Sequence, residues 1–209
     1  MVVSGTWGRE TRGRARARVC VLLGAVATVA GCATSPRPAV AEVPGTASAP
    51  LTDAHGQSVE LGALAAGSPW TVLVFFSRDC HCLKVHEPRL RALFEAYGPR
   101  GVQFVMVDSE VRASPGGDAD EARRRSYPFP ILIDRGARIA DALGARYASY
   151  VVVLDGGARV HYRGGIDSDK THLHEGANAY LGDALDALLE HREPRVAEGK
   201  TLGCALEKW

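Results

Sequence analysis

The chain has 209 residues, room for one domain plus extensions, and 46% hydrophobic against 23% charged side chains suffice for an ordinary core. Its net charge is +1, with arginines gathered at the start and otherwise scattered, so it carries no nucleic-acid footprint. Composition leaves function to be read from local motifs; no internal repeat is present.

In residues 1–31, Arg9, Arg12, Arg14, Arg16 and Arg18 precede twelve apolar or small residues at 19–30, and then comes Val29-Ala30-Gly31-Cys32. Twelve residues fall short of the roughly 20 that span a bilayer, so the segment reads as a cleaved export signal. Its end resembles a bacterial lipobox, which implies a lipidated Cys32 at the mature start and the loss of Cys20. That resemblance puts the protein in the cell envelope facing the periplasm, and Ala33, which is not an acidic retention residue, favours the outer membrane. Residues 32–50, rich in Ala, Pro, Ser and Thr, have too few large apolar side chains to bury and read as a tether.

Residues 51–190 read as one domain. Leu51, Val59 and Leu61 frame a hairpin about His55-Gly56, and Ser68-Pro69 breaks the chain after residue 66. The β-branched and aromatic run at 71–76 predicts a buried strand. A helix follows, with Leu83, Leu90, Leu93 and Phe94 on its buried stripe, a kink expected at Pro88, and a stop at Tyr97-Gly98-Pro99. Residues 103–107 predict a second central strand. In the polar stretch 109–126, Pro115-Gly116-Gly117 reads as a loop and 118–125 as a solvated helix exposing Arg123, Arg124 and Arg125. Strands are expected at 130–134 and 150–154, a short helix at 139–143, and a hairpin partner at 159–163 after Gly156-Gly157. Gly164-Gly165 reads as a break and 177–189 as a closing helix. Residues 191–209 are left as a C-terminal tail containing Cys204. Helices alternating with strands argue for an α/β three-layer sandwich with a central mixed sheet flanked by helices.

The chemistry concentrates where the strand at 71–76 gives way to its helix. With Asp79 as N-cap, Cys80 enters the first turn, where free N–H groups and the helix dipole favour a thiolate and a lowered thiol pKa. Cys82 lies two residues on, with His81 between and His86 a turn later. After removal of the signal and use of Cys32 as anchor, three of the five cysteines remain as candidate thiols: Cys80, Cys82 and Cys204. Helical side chains two apart diverge, so a bond between Cys80 and Cys82 is expected to be strained and easily passed on.

The segments FFSRDC, VQFVMVD, YPFPILID, ARIADALGA, VVVLDGGARVHYRGGID and ALDALLEH, in this order, resemble the redoxin or AhpC/TSA (alkyl hydroperoxide reductase and thiol-specific antioxidant) branch of the thioredoxin-like superfamily. The resemblance implies a thioredoxin-like sandwich and makes Cys80 the nucleophile, since Pro88 follows it by the family's eight residues. The family's second cysteine would fall at Leu83; here Cys82 stands instead. Ser77 matches the peroxiredoxin serine or threonine three before the cysteine, whereas Leu73 replaces the expected proline. Ser149 occupies the usual cis-proline position, and Arg146 is out of register for an activating arginine.

Two functions follow as expectations. The first is an envelope-anchored thiol-disulfide oxidoreductase or thiol peroxidase. Cys80 attacks a protein disulfide or a peroxide, Cys82 or Cys204 resolves the product, and electrons come from another protein, because no flavin or nicotinamide fingerprint is present. No cofactor is expected. The alternative is a copper-delivery protein resembling thioredoxin-like copper chaperones, with Cys80, Cys82, His86 and His174 as ligands and His172 as a substitute. His55, His161 and His191 are isolated, and Asp134 and Asp155 sit at strand ends where turn roles suffice.

Overall fold

The computed structural model describes residue 43 and residues 45–208. The expected export signal, Cys20, Cys32 and most of the expected tether lie outside these residues. Among the described residues, no helix is long and apolar enough to cross a membrane.

Among the described residues, seven strands form one mixed sheet in the order β2-β1-β5-β4-β3-β6-β7. At its centre, β3 (Trp70–Phe76) lies parallel to β4 (Val102–Asp108) and antiparallel to β6 (Tyr150–Asp155). Covered on both faces, β3 is buried from Thr71 to Phe76, which is why its sequence is a continuous apolar run rather than an alternating one. On one side β5 (Ile131–Ile133), β1 (Pro50–Thr52) and β2 (Ser58–Glu60) complete the sheet; on the other, β7 (Val160–Gly165) pairs with β6. Helix α1 (Leu61–Ala66) packs against β2 and β6, α2 (His81–Tyr97) on β4, α3 (Pro115–Arg124) on β5 and α5 (Tyr180–Leu189) on β7. The sheet flanked by helices is the α/β sandwich the sequence predicts.

Local chemistry sets the element ends. The Asp134 carboxylate accepts the N–H groups of Ile139 and Ala140 and so starts α4 (Arg138–Leu143), while that of Asp155 accepts those of Gly157 and Arg159 in the β6–β7 turn. Helix α2 continues through Pro88 to a stop at Gly98.

The structure differs from expectation in four places. Packing begins before residue 51: Thr46 is buried, and the carbonyls of Ala47 and Ala49 accept N–H bonds from Gly62 and Leu61. Helix α3 starts at Pro115, and Asp118, Glu121 and the adjoining Arg125 are buried rather than solvated. Strand β7 runs through Gly164 and Gly165. A Cβ at either would lie 2.4 Å from the carbonyl oxygen of Gly199 or Lys200, so the glycines admit a crossing chain instead of ending the strand. That crossing chain is the C-terminal tail. It pairs Glu198 with Arg163 beside β7, Ala205 with Tyr147 and Lys208 with Glu110, and buries Leu206.

Candidate active site

Cys80 closes the loop from β3 to α2. It is itself the N-cap, in extended conformation, and its sulfur accepts the N–H of Leu83 at 3.4 Å. Asp79 is exposed and does not cap the helix. Because Cys80 lies outside the helix, its side chain does not diverge from that of Cys82 as two helical positions would. Ser77 is buried, and its carbonyl accepts the Cys80 N–H at 3.3 Å.

The tail supplies the third thiol. The Ala148 N–H donates to the Cys204 carbonyl at 2.9 Å, and Leu206 N–H to that of Arg146 at 3.0 Å. Gly203 makes this approach sterically possible: a Cβ there would stand 2.0 Å from the Ala148 carbonyl oxygen. Gly203 is therefore a steric requirement for docking. Cys80, Cys82 and Cys204 converge with all three sulfurs within 4.8 Å of one another, and all three are free thiols.

Burial divides their roles. Cys80 and Cys82 are 1% and 5% exposed, whereas Cys204 is only partly buried. Burial and the neighbouring Cys204 push the Cys80 thiol up to about 11, and burial likewise raises Cys82. For Cys204 burial acts in the same direction, but the Cys80 and Cys82 thiols and the backbone N–H groups of Cys82 and His81 outweigh it, so its thiol lies below the ordinary 9.0. The lowered thiol expected at Cys80 thus belongs to Cys204, against which the helix start is turned.

Two polar networks support the cluster. Arg125 is buried and donates to the Arg78 carbonyl in the loop before Cys80, to Glu87 of α2 at 2.9 Å and to Glu121. The sequence reading places this arginine on an exposed face; Glu121 is one turn away, but Glu87 and Arg78 lie 38 and 47 residues off and leave no local signal. In the second network, His86 donates from Nδ1 to the Cys82 carbonyl at 2.7 Å and from Nε2 to Asp167 at 3.1 Å. Burial opposes the imidazolium, but Asp167 raises His86 overall, and His86 and Arg89 hold Asp167 below the usual carboxylate range despite its burial. With both ring nitrogens engaged, His86 is not grouped with the thiols. His174 pairs through Nδ1 with Asp169 at 3.0 Å, and His172 is exposed beside Thr171. The histidines proposed as copper ligands therefore stand outside the cluster.

Ser149 has φ +67, a left-handed conformation, and its N–H donates to Phe75 at 2.9 Å. Proline, fixed near φ −65, does not fit this backbone. Arg146 is exposed and meets the tail through its carbonyl. Below the β3–α2 loop, Asp108 is buried and driven up to about 8 by desolvation, with Asp118 and Glu110 adding to the shift against the Glu110 N–H bond.

The AhpC/TSA family model matches residues 43–164, more than half of the chain. No curated protein matches it. Among solved structures, an uncharacterized conserved protein from Geobacillus kaustophilus is 29% identical, with 78% of this chain and 89% of that one covered and a TM-score of 0.67. A hypothetical protein from Sinorhizobium meliloti is 24% identical over 79% of this chain and 94% of its own, with the same TM-score of 0.67. Xanthomonas campestris peroxiredoxin Q, at 17% identity, 73% and 95% coverage and a TM-score of 0.52, shares the fold, which is thioredoxin-like.

Proposed function

The chain belongs to the AhpC/TSA family, a redox family of thiol chemistry, and from that premise we propose that it is a thiol-disulfide oxidoreductase whose working bond joins Cys204 to Cys80. The observation that carries this is the meeting of three sulfurs within 4.8 Å, one brought from the far end of the chain.

Cys204, the partly exposed thiol with the lowered pKa, attacks a sulfur of a partner protein's disulfide. A mixed disulfide forms and one partner sulfur leaves as thiolate. Cys80 then attacks the Cys204 sulfur, its proton passing to the departing partner sulfur. The partner gains two electrons and two protons as a dithiol, and the chain retains a Cys80–Cys204 disulfide. An external electron-donor protein reverses these steps to reset it. This order exchanges the roles the family resemblance assigns: Cys80, 1% exposed and with its thiol near 11, suits the resolving position better than first attack on a large partner. The raised Cys80 thiol also disfavours a peroxide meeting Cys80 directly, because the thiolate is the nucleophile. Cys82 belongs to the same group of sulfurs, and a bond from it to Cys80 would close a small ring across His81.

In this account the domain works in the cell envelope, held through a lipidated Cys32 with the catalytic face toward the periplasm. The arginine-rich start, the apolar run and Val-Ala-Gly-Cys support that location. The test is trapping. With a mixed-disulfide-forming probe, Cys80→Ser/Cys82→Ser protein is expected to accumulate the adduct on Cys204, whereas the unaltered chain releases it. Full disulfide reductase activity in Cys204→Ser protein would end the proposal.

A further inference from the structure

Disulfide exchange needs two thiols, and this site holds three. We propose that the reduced cluster of Cys80, Cys82 and Cys204 is also a three-coordinate thiolate site for Cu(I).

Size is the first reason. With metal–sulfur bonds of about 2.3 Å, sulfurs at the corners of a trigonal site stand about 4 Å apart. The observed envelope of 4.8 Å accommodates that triangle with small side-chain adjustments. The second reason is the donor set: among the described residues, neither a histidine nor a carboxylate is grouped with the three thiols. His86 spends both ring nitrogens on the Cys82 carbonyl and Asp167, and His174 is turned to Asp169. An all-sulfur set favours a soft ion, and three ligands without a fourth suit Cu(I) better than zinc, which takes four in structural sites.

Preorganisation is the third reason. Cys80 is fixed as the cap of α2, Cys82 lies in its first turn with its carbonyl held by His86, and Cys204 is locked by the Gly203–Ala148 approach. Charge gathered on the sulfurs meets the positive end of a 17-residue helix, whose Leu83 N–H already donates to Cys80. On binding, each thiol that becomes a ligand releases its proton to solvent, and no electron moves. The site does not depend on the exchange cycle, although a disulfide between any two members removes two of the three ligands.

The test is an oxygen-free titration of the reduced, full-length chain with Cu(I) in competition with bathocuproine disulfonate. One copper per chain should be withdrawn from the chelator, with an ultraviolet thiolate-to-copper band. Cys204→Ser and Cys82→Ser should each weaken retention at least ten-fold, His174→Ala should leave it unchanged, and the disulfide form should bind none. A chelator that keeps all its copper, retention by either serine variant equal to that of the unaltered chain, or displacement of copper by equimolar zinc would overturn the site. A chain that cycles its disulfide yet leaves copper with the chelator overturns the copper site alone.

Discussion

Cys204 owes its position to a hydrogen on the preceding residue, and its charge to neighbours it meets only through folding. Alkylation followed by peptide mapping should therefore find Cys204 labelled first, with a pH midpoint below 9.0, while native Cys80 stays unlabelled until near pH 11. Equal labelling of Cys80 and Cys204 at neutral pH would contradict this assignment. Asp108 gives a separate test. Its folded pKa, about 8, is raised above its unfolded value near 3.8, so the native state holds a proton that the unfolded chain releases. That contribution to stability is complete below about 3.8 and declines as pH rises through about 8. The melting temperature should fall over this window, and Asp108→Asn should flatten the fall. An unchanged slope in the variant would place the decline elsewhere.

Between elements, the β3–α2 loop is held by Arg125 and met by the tail through Cys204. Arg125→Ala leaves Glu87 and Glu121 without their buried partner and should cost roughly 3 kcal/mol in a denaturant titration, while slowing disulfide formation. A change below about 0.5 kcal/mol, the usual effect of a surface substitution, would mean the network is incidental. Gly203→Ala should be more selective. It forces the tail off Ala148 and should reduce exchange about 100-fold, a misplacement effect, with little loss of global stability. Activity equal to that of the unaltered chain would show that Cys204 reaches its partners without this docking.

For the molecule as a whole, the sequence was informative wherever one stretch decides its own surroundings. The runs that form β3, β4 and β6 are predominantly apolar because those strands are central, and Cys80 could be found because a strand, a turn and a helix follow one another around it. What escaped was long-range. Nothing near Arg125 announces Glu87, and Gly164 and Gly165 read as a break until a chain is seen passing against them. The cap was misassigned because Asp79 is the better oxygen acceptor on paper, whereas the folded loop presents the Cys80 sulfur to Leu83. These long-range contacts turn a two-cysteine motif into a three-thiol site. The most direct measurement is non-reducing peptide mapping by mass spectrometry, after a mild oxidant and again after reduction. A Cys80–Cys204 bond that forms and disappears reversibly is the predicted result; three thiols that stay free, or a bond confined to Cys80 and Cys82, would contradict it.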